Sequence, residues 1–193
     1  PLRSSVTFFF LMIRPPPGSP PVPSSAASDG YKRQTLSYAY LTGAGAGITI
    51  DLSAASVNAG AGDADTIGDL FEHLTATSRD DAIIGNTLDN DIDGGGGTDT
   101  VSYAGRAGTG GATVNFSVLD IDGMSVLTFG SIAEQDRLIR IENLTGTGQG
   151  DTVTGDAANN IYLGLAGNDT ISGAGGNDTI DGGADNDTLN GDA

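Results

Sequence analysis

Acidic side chains recur at a fixed interval toward the end of the sequence. Read in steps of nine from Gly146, the chain gives GTGQGDTVT, GDAANNIYL, GLAGNDTIS, GAGGNDTID, GGADNDTLN and then GDA. The sixth position of every full unit is an acid or its amide: Asp151, Asn160, Asp169, Asp178 and Asp187. Carboxylates and backbone carbonyls are the oxygen ligands that Ca²⁺ takes in proteins. The spacing therefore indicates repeated cation sites on equivalent turns.

The same period occurs earlier in the chain, with fewer glycines. Residues 76–84, 85–93 and 94–102 form three units whose sixth positions are Asp81, Asn90 and Asp99. The order Asp, Asn, Asp is that of the first three later units, and residues 71–75 (FEHLT) resemble residues 141–145 (IENLT). We therefore predict two long copies, at roughly 35–100 and 100–171, followed by extra nonapeptides.

Each unit combines a glycine-rich half with a short alternating half. The first six residues must turn tightly, and glycine supplies the positive φ angles that such turns need. The last three alternate polar, apolar, polar, which is the pattern of a short strand with one inward side chain. The inward residue is the eighth of each unit: Ile83, Ile92, Val101, Val153, Tyr162, Ile171, Ile180 and Leu189. A fixed period of this kind predicts an all-β fold, a parallel β-roll or β-solenoid.

Stacking of the turns would bring the acids of successive coils together. If two nonapeptides make one coil, equivalent residues of successive coils lie about 4.8 Å apart, and carboxylates that close repel unless a cation lies between them. One column holds Asp151, Asp169 and Asp187, with an ion expected between each successive pair. Asn160 and Asp178 form a second, weaker column, while Asp81 and Asp99 are expected to share one ion. The predicted metal ligands, which together bind several Ca²⁺ ions, are Asp151, Asp169, Asp178, Asp187, Asp81 and Asp99.

The charge balance narrows the classes of partner and activity. The chain has 25 Asp and Glu against 8 Lys and Arg, a net charge of −17, so it repels nucleic acids and anionic lipids and attracts cations. It contains no Cys and one His, His73, which excludes thiolate sites and sites with two imidazoles. The H-E-x-x-H and G-x-S-x-G motifs are absent, and equivalent acids on repeated turns do not form an acid–base pair. We predict that the chain is not an enzyme.

The first residues differ in composition from the rest. All 7 Pro lie within the first 23 residues, and the apolar run at residues 6–13 is shorter than the about 20 residues that cross a bilayer. We expect residues 1–28 to be a non-native or disordered segment, the alternative being a signal-peptide fragment. The other predicted divisions are residues 29–102, a first degenerate β-roll copy with its spacer, residues 103–145, the spacer strands of the second copy, and residues 146–193, the nonapeptide β-roll.

One shorter motif competes for the same acids. Residues 89–94 (DNDIDG) match the start of an EF-hand calcium loop. The twelfth position of that loop is Thr100 instead of a bidentate Glu, and no amphipathic helix is predicted beside it. We therefore assign these acids to the β-roll period.

Residues 164–190 resemble the RTX, or haemolysin-type, calcium-binding nonapeptide, whose pattern is G-G-x-G-x-D-x-U-x. The resemblance implies a parallel β-roll that is disordered in the low-calcium cytosol and folds after type I secretion from a bacterial cell. The chain is then expected to be a fragment of a larger secreted protein that meets the type I secretion machinery. Residues 155–163 depart from the pattern at Ala158, Asn160 and Tyr162, which weakens the expectation of a calcium site in that unit.

The function that this resemblance implies is a non-catalytic module. It would fold on binding Ca²⁺ outside the cell and support the secretion and stability of the protein that carries it. Two alternatives stay open: the repeat region of a secreted enzyme (a metalloprotease, a lipase or a polysaccharide-modifying enzyme), or part of an adhesin. The three differ only in what lies beyond these residues.

Overall fold

The computed structural model describes residues 35–39, 46–54, 56–58, 64–66, 73–106, 110–119, 123–130 and 134–191. The segment 1–28 lies outside the described residues. Within those ranges all regular secondary structure is β-strand, which confirms the predicted all-β class. No helix that is long and apolar enough to cross a membrane occurs in the described ranges.

Most of the strands are three residues long, the length of the alternating half of one unit. In chain order they are β1 (Thr35–Ser37), β2 (Thr49–Asp51), β3 (Ser56–Asn58), β4 (Ala64–Thr66), β5 (His73–Thr75), β6 (Ala82–Ile84), β7 (Asp91–Asp93), β8 (Thr100–Ser102), β9 (Ala112–Leu119), β10 (Ser125–Phe129), β11 (Gln135–Ile139), β12 (Asn143–Thr145), β13 (Thr152–Thr154), β14 (Ile161–Leu163), β15 (Thr170–Ser172), β16 (Thr179–Asp181) and β17 (Thr188–Asn190).

The strands form two sheets, and the nonapeptide strands alternate between them. The first sheet has the order β1-β5-β7-β11-β10-β9-β13-β15-β17, and the second has the order β16-β14-β12-β8-β6-β2-β3-β4. Nonapeptide strands of one sheet pair in parallel with their neighbours: Thr152 of β13 is in register with Thr170 of β15, which is in register with Thr188 of β17. Two nonapeptides therefore complete one coil, and the predicted parallel β-roll is confirmed.

The eighth residues of the units form the hydrophobic core. In the second sheet Ile83, Val101, Leu144 and Tyr162 lie in register on successive strands, and all are buried. Burying a side chain of this size contributes about 1.5–3 kcal/mol. Leu189 is 47 % exposed because β17 is the edge strand of the first sheet.

An antiparallel insertion separates the two copies in one sheet only. Strands β9, β10 and β11 pair antiparallel with one another and fill the first sheet between β7 and β13. In the second sheet β8 pairs directly with β12. Because the insertion adds an odd number of strands to the first sheet, equivalent strands of the two copies lie in opposite sheets: β6 is in the second sheet and its counterpart β13 is in the first.

Buried polar contacts attach this insertion to the first copy. Arg106, 8 % exposed, forms a two-pronged ion pair with Glu134, and its guanidinium lies 3.6 Å from the centroid of the Phe129 ring. Tyr103 packs edge-on against Phe129 and donates its hydroxyl to Asp136 Oδ2. Asp136 Oδ1 accepts the backbone N–H of Asn90 at 2.8 Å. Burial raises the pKa of Asp136 from 3.8 to about 7, against the opposing effect of these hydrogen bonds.

This raised pKa makes the stability of the fold depend on pH. Between about pH 4 and pH 7 the folded protein keeps a proton on Asp136 that the unfolded chain has released, so stability falls as the pH rises through this window. The contribution of Asp136 is at most about 1.4 kcal/mol per pH unit. We expect D136N to remove it, so that wild type loses more stability than D136N between pH 5 and pH 7 in urea unfolding at saturating Ca²⁺. The exposed D181N should keep the wild-type profile, and parallel profiles for wild type and D136N would contradict this account.

Candidate metal centre

Successive coils are joined through the side chain at the sixth position of the unit. One carboxylate oxygen, Oδ1, accepts the backbone N–H of the sixth residue one coil earlier. These bonds run from Asp81 N to Asp99 at 2.8 Å, from Asp151 N to Asp169 at 2.7 Å, from Asn160 N to Asp178 at 2.9 Å and from Asp169 N to Asp187 at 3.0 Å. Each acid is thereby fixed by a single oxygen, and its other oxygen, Oδ2, remains for a different contact.

The structure places the predicted acids in two columns. The column that precedes strands of the first sheet contains Asp151, Asp169 and Asp187, in the arrangement predicted from the sequence. The other column runs through both copies and contains Asp81, Asp99, Glu142, Asn160 and Asp178. The acids of the first copy thus continue the weaker column of the second copy.

Glu142 is a member of this column that the sequence analysis missed. It ends a turn of only three residues between β11 and β12, and its Oε2 accepts the Asp99 N–H at 2.8 Å. The turn contains no glycine, so the nonapeptide pattern does not find it. The available signal was an acid directly before a three-residue strand, which is the place of the acid or its amide in every unit.

Three of the predicted acids have a buried oxygen with nothing to bind. Within the described part of the chain, Oδ2 of Asp99, Asp169 and Asp178 is buried and has no hydrogen-bond partner. Burial, with a smaller contribution from neighbouring acids, raises the pKa of Asp99 to about 7 and also raises that of Asp169. A buried oxygen without a partner is costly, and an unpaired buried charge costs more. A bound cation would remove both costs.

The space beside these oxygens is kept open by glycine. A Cβ atom on Gly164 would overlap Asp169 Oδ2 and would lie 2.6 Å from the carbonyl oxygen of Gly182 in the next coil. A Cβ atom on Gly94 would likewise overlap Asp99 Oδ2 and the carbonyl oxygen of Arg140. At both places a carboxylate oxygen and a backbone carbonyl converge on a position without a side chain, which is the oxygen chemistry that suits Ca²⁺.

The turns fall into two conformational classes. In the units that begin at Gly94, Gly164, Gly173 and Gly182, the second and fourth residues have positive φ. Three of these residues are not glycine: Leu165 has φ 81°, Ala174 has φ 68° and Asp185 has φ 82°. In the units that begin at 76, 85, 146 and 155, the side chain of the second residue instead accepts the N–H of the fourth, which is a common turn made by Asn, Asp and Thr. We call the first class open turns and the second class closed turns.

Asp81 and Asp151, both predicted ligands, lie in closed turns and differ from the other predicted acids. Asp151 Oδ2 accepts the N–H of Thr147 at 2.8 Å, and the Thr147 hydroxyl donates to Asp151 Oδ1 at the same distance. Asp81 receives the same two groups from Thr77. Both oxygens of both acids therefore have protein donors.

The acids of the EF-hand-like stretch lie elsewhere and are already paired. Asp91 on β7 lies 2.9 Å from His73 Nδ1 and 3.3 Å from Arg137, and Asp93 pairs with Arg140. In the described ranges no three His, Cys, Asp or Glu side chains converge to hold a metal. A cation on the open turns would therefore depend on backbone carbonyls as well as on carboxylates.

The unit 155–163 has a neutral residue at its sixth position. Asn160 stands at its sixth position and Tyr162 at its eighth, where the ring stacks on Phe116 at 5.8 Å between centroids. Asn160 Oδ1 and the Tyr162 hydroxyl are both buried and lack hydrogen-bond partners within the described chain. The amide oxygen brings no charge, although Asp99 and Asp178 of the same column each keep a buried, unpartnered Oδ2.

Comparison with known families identifies the repeats. A family model described as RTX calcium-binding nonapeptide repeat (4 copies) matches residues 71–105, 140–171 and 163–193. The chain carries RTX calcium-binding nonapeptide repeats. The matched RTX residues include all four open turns and the closed turns that begin at 76, 85, 146 and 155. No curated protein matches the chain.

The RTX repeats make this β-roll a calcium-binding module. We call the spaces beside Gly94 and Gly164, where a carboxylate oxygen and a backbone carbonyl converge, the glycine cradles, and we expect an ion to bind there. We expect G164A to weaken Ca²⁺ binding by at least about tenfold, or about 1.4 kcal/mol, because its methyl group occupies the space beside Asp169 Oδ2. G148A is the matched control, since nothing lies within 4 Å of a Cβ atom there. Isothermal titration calorimetry of both variants checks this expectation. Equal affinities for G164A and G148A would show that no ion uses the cradle.

Proposed function

We propose that the chain is a calcium-triggered folding module of a secreted bacterial protein. The observation that carries the proposal is the set of buried, unpartnered Oδ2 atoms of Asp99, Asp169 and Asp178. A cation bound beside these oxygens would offset the cost of burying them. The RTX repeats and the net charge of −17 support Ca²⁺ as the source of that charge.

Four acids on the open turns would hold the ions: Asp99, Asp169, Asp178 and Asp187. Their Oδ1 atoms receive backbone N–H groups from the coil before, so each carboxylate is already oriented when it meets an ion. Carbonyl oxygens of the next coil, such as that of Gly182, would complete the shell. Bound Ca²⁺ supplies the positive charge that offsets carboxylate repulsion between coils. The ion-binding free energy then becomes folding free energy for the coils that share it.

The secretion role follows from the ion concentrations on the two sides of the cell envelope. Extracellular calcium modules need an affinity of only about 10⁻⁴–10⁻³ M, which cytosolic calcium does not saturate. The open turns would therefore stay unfolded inside the cell, pass through the type I secretion machinery as a flexible chain, and fold outside. We propose that the folded module is non-catalytic and stabilises the larger protein that carries it.

Far-UV circular dichroism of the full chain during a Ca²⁺ titration tests the proposal. We expect β-structure to increase with Ca²⁺ but not with Mg²⁺, which demands a tighter octahedral shell. D169N should move the midpoint to about tenfold higher Ca²⁺, whereas D181N, on an exposed site of β16, should leave it unchanged. A β-spectrum that is the same in EDTA and in Ca²⁺ would contradict the proposal.

A further inference from the structure

We propose that the second residue of each turn decides whether the turn takes a calcium ion, and that Thr77 and Thr147 produce two turns that close without one. The inference rests on the proposed calcium binding of the open turns. It assigns Asp81 and Asp151 to hydrogen bonding within the chain, although their positions in the repeat are those of calcium ligands.

The contacts of Asp151 show how a threonine replaces an ion. Thr147 lies four residues before the acid and gives it both a backbone N–H and a hydroxyl, at 2.8 Å each. The same hydroxyl accepts the Gln149 N–H at 3.1 Å, which holds the turn in its closed form. Asp151 is 1 % exposed, so its carboxylate is stabilised by these protein donors instead of by water.

The first copy contains the same arrangement in a different setting. Asp81, 3 % exposed, accepts the Thr77 N–H at 2.7 Å and the Thr77 hydroxyl at 2.8 Å, and that hydroxyl accepts the Arg79 N–H at 3.2 Å. Asp81 precedes a strand of the second sheet and Asp151 a strand of the first. The same closed form therefore occurs before strands of both sheets.

The open turns lack these donors. Their second residues, Gly95, Leu165, Ala174 and Gly183, have positive φ and no side-chain hydroxyl. Where the second residue is of this kind, Oδ2 of Asp99, Asp169 and Asp178 has no partner among the described residues. Among these turns with Asp at the sixth position, Oδ2 is satisfied where the second residue is Thr and is without a partner where it is Gly95, Leu165 or Ala174.

The two closed turns that contain Thr77 and Thr147 also receive the strands that enter the roll from the spacers. Asp81 Oδ1 accepts the N–H of Ile48, next to β2, at 2.7 Å, and Asp151 Oδ1 accepts that of Ala112, the first residue of β9, at 2.6 Å. Each of these two turns thus joins a spacer strand to the first unit of a nonapeptide block without metal. The open turns then stack on a coil that is already formed.

Calcium stoichiometry tests the assignment directly. The double variant T147G/Q149G gives the turn glycine at its second and fourth positions, as in the open turn at residues 94–99. By equilibrium dialysis of the full chain with radioactive Ca²⁺, we expect this variant to bind one more ion than wild type. An unchanged count in a variant that reaches the wild-type circular dichroism spectrum in Ca²⁺ would overturn the inference.

Hydrogen–deuterium exchange in EDTA provides a second measurement. In wild type we expect residues 112–116 and 146–154 to keep their protection while residues 164–190 exchange rapidly. T147V removes the hydroxyl and should speed exchange of residues 146–154 at least about tenfold without changing the number of ions bound. T152V, at an exposed threonine of β13, is the matched control and should change neither quantity. Equal exchange in T147V and T152V, or equally fast exchange of residues 146–154 and 164–190 in wild type, would overturn the inference.

The two proposals fail in different ways. If wild type binds no Ca²⁺, the proposed function is wrong and the inference falls with it. If wild type binds Ca²⁺ but D151N loses one ion just as D169N does, only the inference is wrong, because Asp151 is then a ligand. If D169N loses an ion and D151N does not, the assignment of the closed turns is supported.

Discussion

The roll depends on a hydrogen bond between the backbone N–H of one coil and a carboxylate of the next. In the nonapeptide coils this bond uses one oxygen of the acid and orients the other toward a glycine of the same turn. The bond therefore stacks the coils and at the same time creates a buried oxygen that needs a positive partner. The stacking of the coils and the binding of a cation both follow from this one contact. An amide would keep the hydrogen bond but not the charge, which explains why Asp recurs in the units at residues 164–190.

The buried second oxygen of the carboxylate, Oδ2, is treated differently in two sets of turns. Threonine donors satisfy it at Asp81 and Asp151, where spacer strands join the roll. Second residues with positive φ and no hydroxyl leave it open at Asp99 and Asp169, where a carbonyl of the next coil lies beside it. The insertion formed by β9, β10 and β11 is attached through buried ion pairing and aromatic contacts instead. Calcium dependence is thus concentrated in some turns and absent from others.

The sequence predicts the period, the eighth-position core and the stacking of Asp151 on Asp169, because each of these is set within one nonapeptide and its copy. It does not predict that the two copies occupy opposite sheets, since that depends on how many spacer strands pair between β7 and β13. Glu142 was missed for a related reason: its three-residue turn is defined by the strands on either side and not by glycine. The role of Thr147 was readable in principle, as a threonine four residues before the acid, but only its contacts separate it from other polar second residues.

Anomalous diffraction from crystals of the full chain grown with Tb³⁺ in place of Ca²⁺ tests the central claim most directly. The account predicts peaks at about 2.3–2.6 Å from Oδ2 of Asp99, Asp169 and Asp178, and none on Asp81 or Asp151, whose oxygens stay bonded to Thr77 and Thr147. A peak on Asp151 with Thr147 displaced, or an Asp169 Oδ2 that binds no ion in an otherwise ordered roll, would contradict it.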